Sequence, residues 1–125
     1  MPIATVLTLP YPPSVNRLWR RVGNRTLLSK AGRLYRSDVS MICLSELGIT
    51  QPLSGPLRVT IQIFPPDKRR RDLDNTAKSL LDALEHAGVF VNDGDIDALH
   101  ILRKAPCPPA GHVIVTVISR KAFST

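Results

Sequence analysis

The sequence lacks the features of disulfide-rich, membrane-spanning and secreted proteins. Its two cysteines, Cys43 and Cys107, follow no metal-binding spacing, so we expect reduced thiols in a cytoplasmic protein. No apolar run approaches the roughly 18–20 residues that a membrane span requires, and we expect no membrane partner. The N-terminal stretch MPIATVLTLPYPPS carries no basic leader, which argues against a secretory signal.

Acidic residues are few relative to basic ones. The 125 residues contain 17 Lys and Arg against 10 Asp and Glu, so the formal net charge at pH 7 is +7. An excess of this size favours a polyanionic partner, with nucleic acid ahead of an anionic membrane surface. The length and the 43% of hydrophobic residues fit one globular domain, and we expect a single domain over residues 1–125.

Alternating apolar residues predict four strands, which are Ile3–Leu9, Leu57–Phe64, Ile96–Lys104 and His112–Ser119. Val and Ile dominate the last strand, which predicts burial on both of its faces. Helical spacing predicts two helices, from about Lys30 to Leu47 and from about Asn75 to Ala87. Ser29 is the expected N-cap of the first helix. The order β-α-β-α-β-β indicates an α+β fold: a small, mostly antiparallel or mixed sheet of about four strands with two helices packed on one face.

The stretch DKRRRDLDNTAK, residues 67–78, places four consecutive cations directly before two aspartates. The basic run, Lys68 to Arg71, lies between a predicted strand and a predicted helix, so we expect it on a loop. The planar guanidinium of arginine matches phosphate oxygens, which makes this run a candidate for contacts with a nucleic-acid backbone. A solvated basic loop is the alternative.

Asp72 and Asp74 are candidate ligands for a divalent cation. Two residues apart in an extended segment, their carboxylates point the same way and repel each other, and a bound cation relieves that repulsion. Mg²⁺ prefers oxygen ligands and keeps water molecules that a substrate phosphate can replace. Lys78, one helical turn after Asp74, is placed to stabilise developing charge.

These three residues also have structural alternatives. Asp74 suits a helix N-cap, and Asp72 suits an ion pair with Arg71. Lys78 suits an ion pair with Asp74 or Asp82 on the same helix.

A third acid must come from the segment VFVNDGDIDALH, residues 89–100, where the candidates are Asn92, Asp93, Asp95 and Asp97. The predicted second helix carries the chain away from Asp74, so the following turn and strand must bring it back if these acids are to meet. An ordinary acidic turn is the alternative. The pattern of a calcium loop is incomplete, because its final glutamate is missing.

Taken together, these segments resemble the RusA-type Holliday junction resolvases, a family of small homodimeric, magnesium-dependent endonucleases that prophages often encode. The resemblance rests on LPYPPSVNRLWR, RRRDLDNTAKSLLDAL and AGVFVNDGDI in this order and covers residues 9–104. It implies three metal-binding aspartates and an essential lysine, which are Asp72, Asp74, Asp93 and Lys78. The family often has an Asp-Asp pair where this chain has Asn92 and Asp93. Asn92 therefore lowers the negative charge and the expected metal affinity, an effect that Asp95 would partly offset.

The same resemblance implies the remaining site residues and the activity. Residues matching positions that orient or contact DNA are Ser14, Asn16, Arg69, Arg70, Arg71 and Asn75, and Lys68 joins them as a DNA-binding candidate from the basic run. The implied function is resolution of Holliday junctions by paired symmetric nicks, in recombination and repair, with Mg²⁺ or Mn²⁺ and no organic cofactor. The implied partners are four-way junction DNA and a second copy of the chain, because two symmetric nicks need two identical sites. Two alternatives stay open: a branched-DNA-binding protein without catalysis, and a nuclease that prefers flaps or forks.

Overall fold

A computed structural model describes residues 3–14, 19–48 and 51–119 of the chain. Its strands and helices are β1 Ile3–Pro10, β2 Trp19–Val22, β3 Arg25–Leu28, α1 Lys30–Leu47, β4 Leu57–Phe64, α2 Leu73–His86, β5 Ile96–Arg103 and β6 His112–Ser119. A 3₁₀ turn, Asp93–Asp95, precedes β5. The predicted α+β fold with four main strands and two helices is confirmed. None of the helices in these ranges is long and apolar enough to cross a membrane.

Four strands form one mixed sheet in the order β1-β6-β4-β5. Strand β6 runs antiparallel to β1 and to β4, whereas β4 and β5 are parallel, with Leu57 opposite Ile96 and Ile63 opposite Arg103. Helix α2 belongs to the crossover between these two parallel strands, so it runs back along the sheet from the end of β4 towards the start of β5. The two ends of α2 therefore lie near opposite ends of the strands.

The inner face of the sheet packs against both helices. Val59 of β4, Val39 of α1 and Leu80 of α2 are fully buried members of one hydrophobic core. On the outer face of β6, Ile114 and Ile118 are only half-buried. The prediction that this strand is buried on both faces is wrong, because the helices of the described ranges pack on the inner face.

Local capping explains where α1 begins, and acidic residues mark the start of α2. The Ser29 hydroxyl accepts a hydrogen bond from the backbone N–H of Gly32 at 3.1 Å and starts α1 as predicted. Helix α2 begins at Leu73, two residues before its predicted start, with Asp72 in the N-cap position. Asp74 thus lies in the first helical turn rather than in an extended segment, where the positive end of the helix dipole favours an acidic side chain.

The sequence prediction missed a hairpin. Strands β2 and β3 pair antiparallel in a separate two-stranded sheet, and the turn between them consists of Gly23 and Asn24. Gly23 has φ 60°, a conformation that favours glycine in a two-residue hairpin turn. The hairpin escaped prediction because its arginine-rich strands lack the regular apolar alternation that marks a half-buried strand.

Candidate active site

The arginine-rich loop between β4 and α2 is organised by Asp67. Its carboxylate accepts hydrogen bonds from Nη1 of Arg71 at 2.7 Å and from the backbone N–H of Arg69 at 2.9 Å. The Arg71 guanidinium, followed by the Arg69 N–H, lowers the pKa of Asp67 to about 2. Arg71 also lies over the ring of Tyr11, 5.7 Å from its centroid. The predicted loop position of the basic run, Lys68 to Arg71, is confirmed. The side chain of Arg71 packs against the loop, whereas that of Arg69 is 83% exposed.

Asn75 contacts both candidate metal ligands. Its backbone N–H donates to Oδ1 of Asp74 at 3.0 Å, and its side-chain amide donates to Oδ2 of Asp72 at 3.3 Å. The structure thus gathers two exposed carboxylates around one residue at the N-terminus of α2. Hard carboxylate oxygens are the ligands that Mg²⁺ prefers, so this donor set fits the implied ion.

The structural alternatives for the two aspartates are wrong. Arg71 pairs with Asp67 rather than with Asp72, and the N-cap position belongs to Asp72 rather than to Asp74. Asp72 caps without a side-chain hydrogen bond to the helix backbone. Within residues 3–14, 19–48 and 51–119, neither Asp72 nor Asp74 forms an ion pair with a Lys or Arg side chain. Both carboxylates therefore retain oxygen atoms for another ligand.

Lys78 is exposed one helical turn after Asp74. Its other helical neighbour, Asp82, accepts two hydrogen bonds from the guanidinium of Arg36 on α1, at 2.7 and 3.0 Å. No ion pair of Lys78 occurs in the part of the chain that the structure describes. Its ammonium group is consequently available on the side of α2 that carries Asp74.

Two cavities adjoin the N-terminus of α2. One, of about 470 Å³, has among its lining residues Ser14, Arg69, Arg70, Arg71, Asp72 and Asn75. The other, of about 340 Å³, shares the arginines and Asp72 and adds Lys68, Arg103 and Lys104. Ser14 and the four predicted cations are therefore brought together with Asp72 and Asn75. The remaining candidate for DNA contact, Asn16, lies outside the described residues.

Sequence reasoning missed Tyr11, Arg103 and Lys104 at this site. The Arg103 guanidinium donates to the backbone carbonyl of Arg71, and the Lys104 N–H donates to the carbonyl of Ile63 at 2.8 Å. The parallel pairing of β4 with β5 brings the end of β5 beside the arginine loop. In the sequence, Arg103 and Lys104 were visible as two adjacent cations at the end of the predicted third strand. Their position beside the loop, however, depends on the pairing of β4 with β5.

Asp93 does not meet Asp72 and Asp74 within one chain. It begins the 3₁₀ turn that follows α2, where its backbone N–H donates to Oε1 of Glu85 at 2.8 Å. The 14 residues of α2 span about 21 Å, which separates this end from the other two acids. Among the described residues, no group of three or more His, Cys, Asp or Glu side chains is placed to hold a metal ion. Within the described residues of a single chain, the turn and strand after α2 do not bring Asp93 back to the other two acids.

Asn92 stabilises the turn that contains Asp93. Its side-chain oxygen accepts a hydrogen bond from the N–H of Gly94 at 2.7 Å and caps the turn. Asp93 is exposed and Asp95 is half-buried in the same turn. The effects of Asn92 and Asp95 on metal affinity stay predictions.

An exposed lysine one helical turn after Asp74, with two carboxylates that form no ion pair among the described residues and lie next to an arginine-rich loop, is an arrangement suited to phosphodiester chemistry on a polyanion. The fold and the site therefore indicate a small α+β enzyme that acts on nucleic acid. The chain belongs to the family described as Endodeoxyribonuclease RusA, whose family model matches residues 10–117. This assignment confirms both the resemblance found in the sequence and the predicted enzyme class, an endodeoxyribonuclease.

Individual relatives match over most of the chain. The crossover junction endodeoxyribonuclease rusA of Enterobacteria phage HK97 is 42% identical over 100 residues, which are 80% of this chain and 82% of that protein. The proteins of the same name from Escherichia coli (strain K12) and Enterobacteria phage 82 are 36% identical over 111 residues, 89% of this chain and 91% of each relative.

Proposed function

We propose that this protein is a Mg²⁺-dependent endonuclease that resolves four-way DNA junctions by paired symmetric nicks, in recombination and repair, in the cytoplasm. Residues 1–125 would form one nuclease domain. The observation that carries the proposal is the convergence of Asp72 and Asp74 on Asn75 beside an arginine-rich loop. The crossover junction activity named for the relatives supports the choice of a branched substrate.

Asp72 and Asp74 are the residues proposed to hold Mg²⁺, with Mn²⁺ as a substitute. When bound there, Mg²⁺ would supply positive charge that polarises the phosphodiester and favours deprotonation of an attacking water. Asn75 orients both carboxylates through its two hydrogen bonds. Lys78 supplies positive charge to the phosphate oxygens as negative charge develops on them.

The basic rim is proposed to bind the DNA backbone. Lys68, Arg69 and Arg70 are exposed on the loop that enters α2, where they attract phosphates without reading sequence. Arg71 contributes from the cavity wall, where Asp67 and Tyr11 hold it. Further contacts are proposed for Ser14, Asn16 and Asn75.

We propose a homodimer for two reasons. Paired nicks on opposing strands require two identical sites related by a two-fold axis. In addition, the length of α2 leaves Asp72 and Asp74 without a third acid from the described residues of their own chain. The partner subunit's Asp93 is proposed to complete the site, since Asp93 is exposed and therefore accessible to a second copy.

A synthetic four-way junction tests the proposal. With Mg²⁺ the parent protein should cut it symmetrically, whereas Asp72→Asn and Asp74→Asn should bind it and fail to cut. Asp38→Asn removes an exposed acid of α1 and serves as the control that keeps activity. Mutants that cut as fast as the parent would exclude the assigned ligands.

The same assay separates the two alternatives. A parent that binds the junction but cuts nothing with Mg²⁺ or Mn²⁺ is a binding protein without catalysis. A parent whose junction cleavage is suppressed by an equal concentration of flap or fork DNA prefers those substrates.

A further inference from the structure

The β2–β3 hairpin carries a cluster of exposed arginines. Arg20, Arg21 and Arg25 are exposed, and among the described residues none of them forms an ion pair. The strand register sets Arg20 opposite Leu27 and Arg25 opposite Val22, so these two arginines share one face of the ribbon. Arg21 points to the other face.

No ion pair within the described chain offsets this charge. All side chains of residues 20–27 are exposed, so the hairpin contributes little to the core. Like charges close together on a two-stranded ribbon destabilise it, and such ribbons are marginally stable by themselves in water. A polyanionic partner would neutralise the arginines and stabilise the ribbon at the same time.

The hairpin lies close in the sequence to a segment that lines the candidate active site. Tyr11 and Ser14 line the cavity that contains Asp72, and β2 begins only five residues after Ser14. At the other end of the hairpin, Nη1 of Arg33 on α1 donates to the backbone carbonyl of Leu28 at 2.8 Å. This hydrogen bond ties the base of the ribbon to the main body of the fold.

We propose that the β2–β3 hairpin is a second DNA-binding element, which lies in the major groove of a duplex arm next to the cleavage site. This inference rests on the proposed function. The major groove of B-DNA, about 12 Å wide, admits a two-stranded β-ribbon. A strand of four residues is about 13 Å long and covers about four base pairs. Arg20 and Arg25 contact phosphates at the groove edge, so the hairpin adds affinity and orientation rather than sequence specificity.

Binding of a four-way junction without divalent metal tests the hairpin separately from cleavage. Arg20→Gln and Arg25→Gln should each weaken binding several-fold and reduce the slope of log affinity against log salt by about 1. The double variant should weaken binding about 10-fold and reduce the slope by about 2. Arg58→Gln is the matched control, because it removes one exposed arginine from β4 outside the hairpin. Its slope should equal that of the parent.

Hydroxyl-radical footprinting locates the lost contacts. The double variant should lose protection along the duplex arms and keep the protection at the crossover. Equal losses for the hairpin variants and Arg58→Gln, or an unchanged footprint on the arms, would overturn the proposal. So would an equal loss of affinity for single-stranded DNA, because a single strand has no major groove. A parent that binds but never cuts would remove the proposed endonuclease function and leave this result unaffected.

Discussion

Arg71 donates a hydrogen bond to Asp67 at 2.7 Å, although Asp72 is its neighbour in the sequence. Asp67 also accepts a hydrogen bond from the backbone N–H of Arg69. One carboxylate therefore organises the loop and pairs with its third arginine, Arg71. The carboxylate oxygens of Asp72 remain available to another ligand because Arg71 pairs with Asp67 instead. The acids of the basic segment therefore have two roles: Asp67 organises the loop, and Asp72 with Asp74 remains available to a cation.

The Asp67 contact predicts a pH dependence. The folded pKa is lowered to about 2 from an ordinary value of about 3.9, so the contact stabilises the loop above pH 4 and is lost between about pH 4 and 2. Carboxyl NMR of the parent should show Asp67 titrating near pH 2. In Arg71→Gln the midpoint should rise towards the ordinary value. An ordinary midpoint in the parent would contradict the contact.

We expect the ion pair of Arg36 with Asp82 to prevent Asp82 from pairing with Lys78, so that the Lys78 ammonium stays available for cleavage. In Arg36→Gln, Asp82 loses its partner and lies one helical turn from Lys78, where it can pair with the ammonium group. We expect the junction-cleavage rate to fall about 2-fold, because an exposed pair at this helical spacing is worth only about 0.3–0.5 kcal/mol.

The double variant Arg36→Gln/Asp82→Asn separates this effect from lost stability. It lacks the same ion pair, but it offers Lys78 no competing carboxylate, so single-turnover cleavage should recover. If the double variant stays as slow as Arg36→Gln, the ion pair acts on the fold and not through Lys78.

Mixed dimers should reveal a shared metal site. Asp72→Asn and Asp93→Asn are each expected to be inactive as homodimers. If the partner subunit's Asp93 completes each site, a heterodimer of the two variants contains one site with both defects and one site with neither. It should nick one strand of the junction at about half the parental rate.

Two differently tagged chains, co-purified as heterodimers, make the comparison direct. If Asp93 acted within its own chain, each site of the heterodimer would carry one defect and no nicking would appear. A heterodimer of Asp72→Asn with Asp74→Asn is the control that should stay inactive in either case.

Gly111 fixes the connection that supports the arginine loop. It has φ 71°, and a Cβ at this position would lie 2.7 Å from the carbonyl oxygen of Phe64 and from the nitrogen of Pro66. Gly111→Ala should lower the free energy of unfolding by about 3 kcal/mol, from left-handed strain and the backbone clash together. Gly88→Ala has comparable φ strain, with open space around the Cβ, and should cost about 1 kcal/mol. Equal melting temperatures of the two variants would contradict the close approach.

Much of the local structure was predictable because its signals are local. The apolar spacing marked both helices and the four strands of the main sheet, and Ser29 marked the start of α1. The candidate catalytic residues Asp72, Asp74 and Lys78 lie within seven residues of one another. Predicting the start of a single helix was therefore sufficient to place them close together. The start of α2 was misplaced by two residues, because an aspartate fits either the N-cap or the first turn.

The sequence by itself determined the elements, the charge and the acid-base segment, since each depends on residues close together in the chain. Only the tertiary structure decided which distant groups meet. The parallel pairing of β4 with β5 places Arg103 beside the arginine-rich loop. The packing of α1 on α2 allows Arg36 to form an ion pair with Asp82. Helix α2 runs from one end of the strands to the other, and this length separated Asp93 from Asp72. These outcomes depend on strand pairing and on helix direction, which residue spacing does not encode.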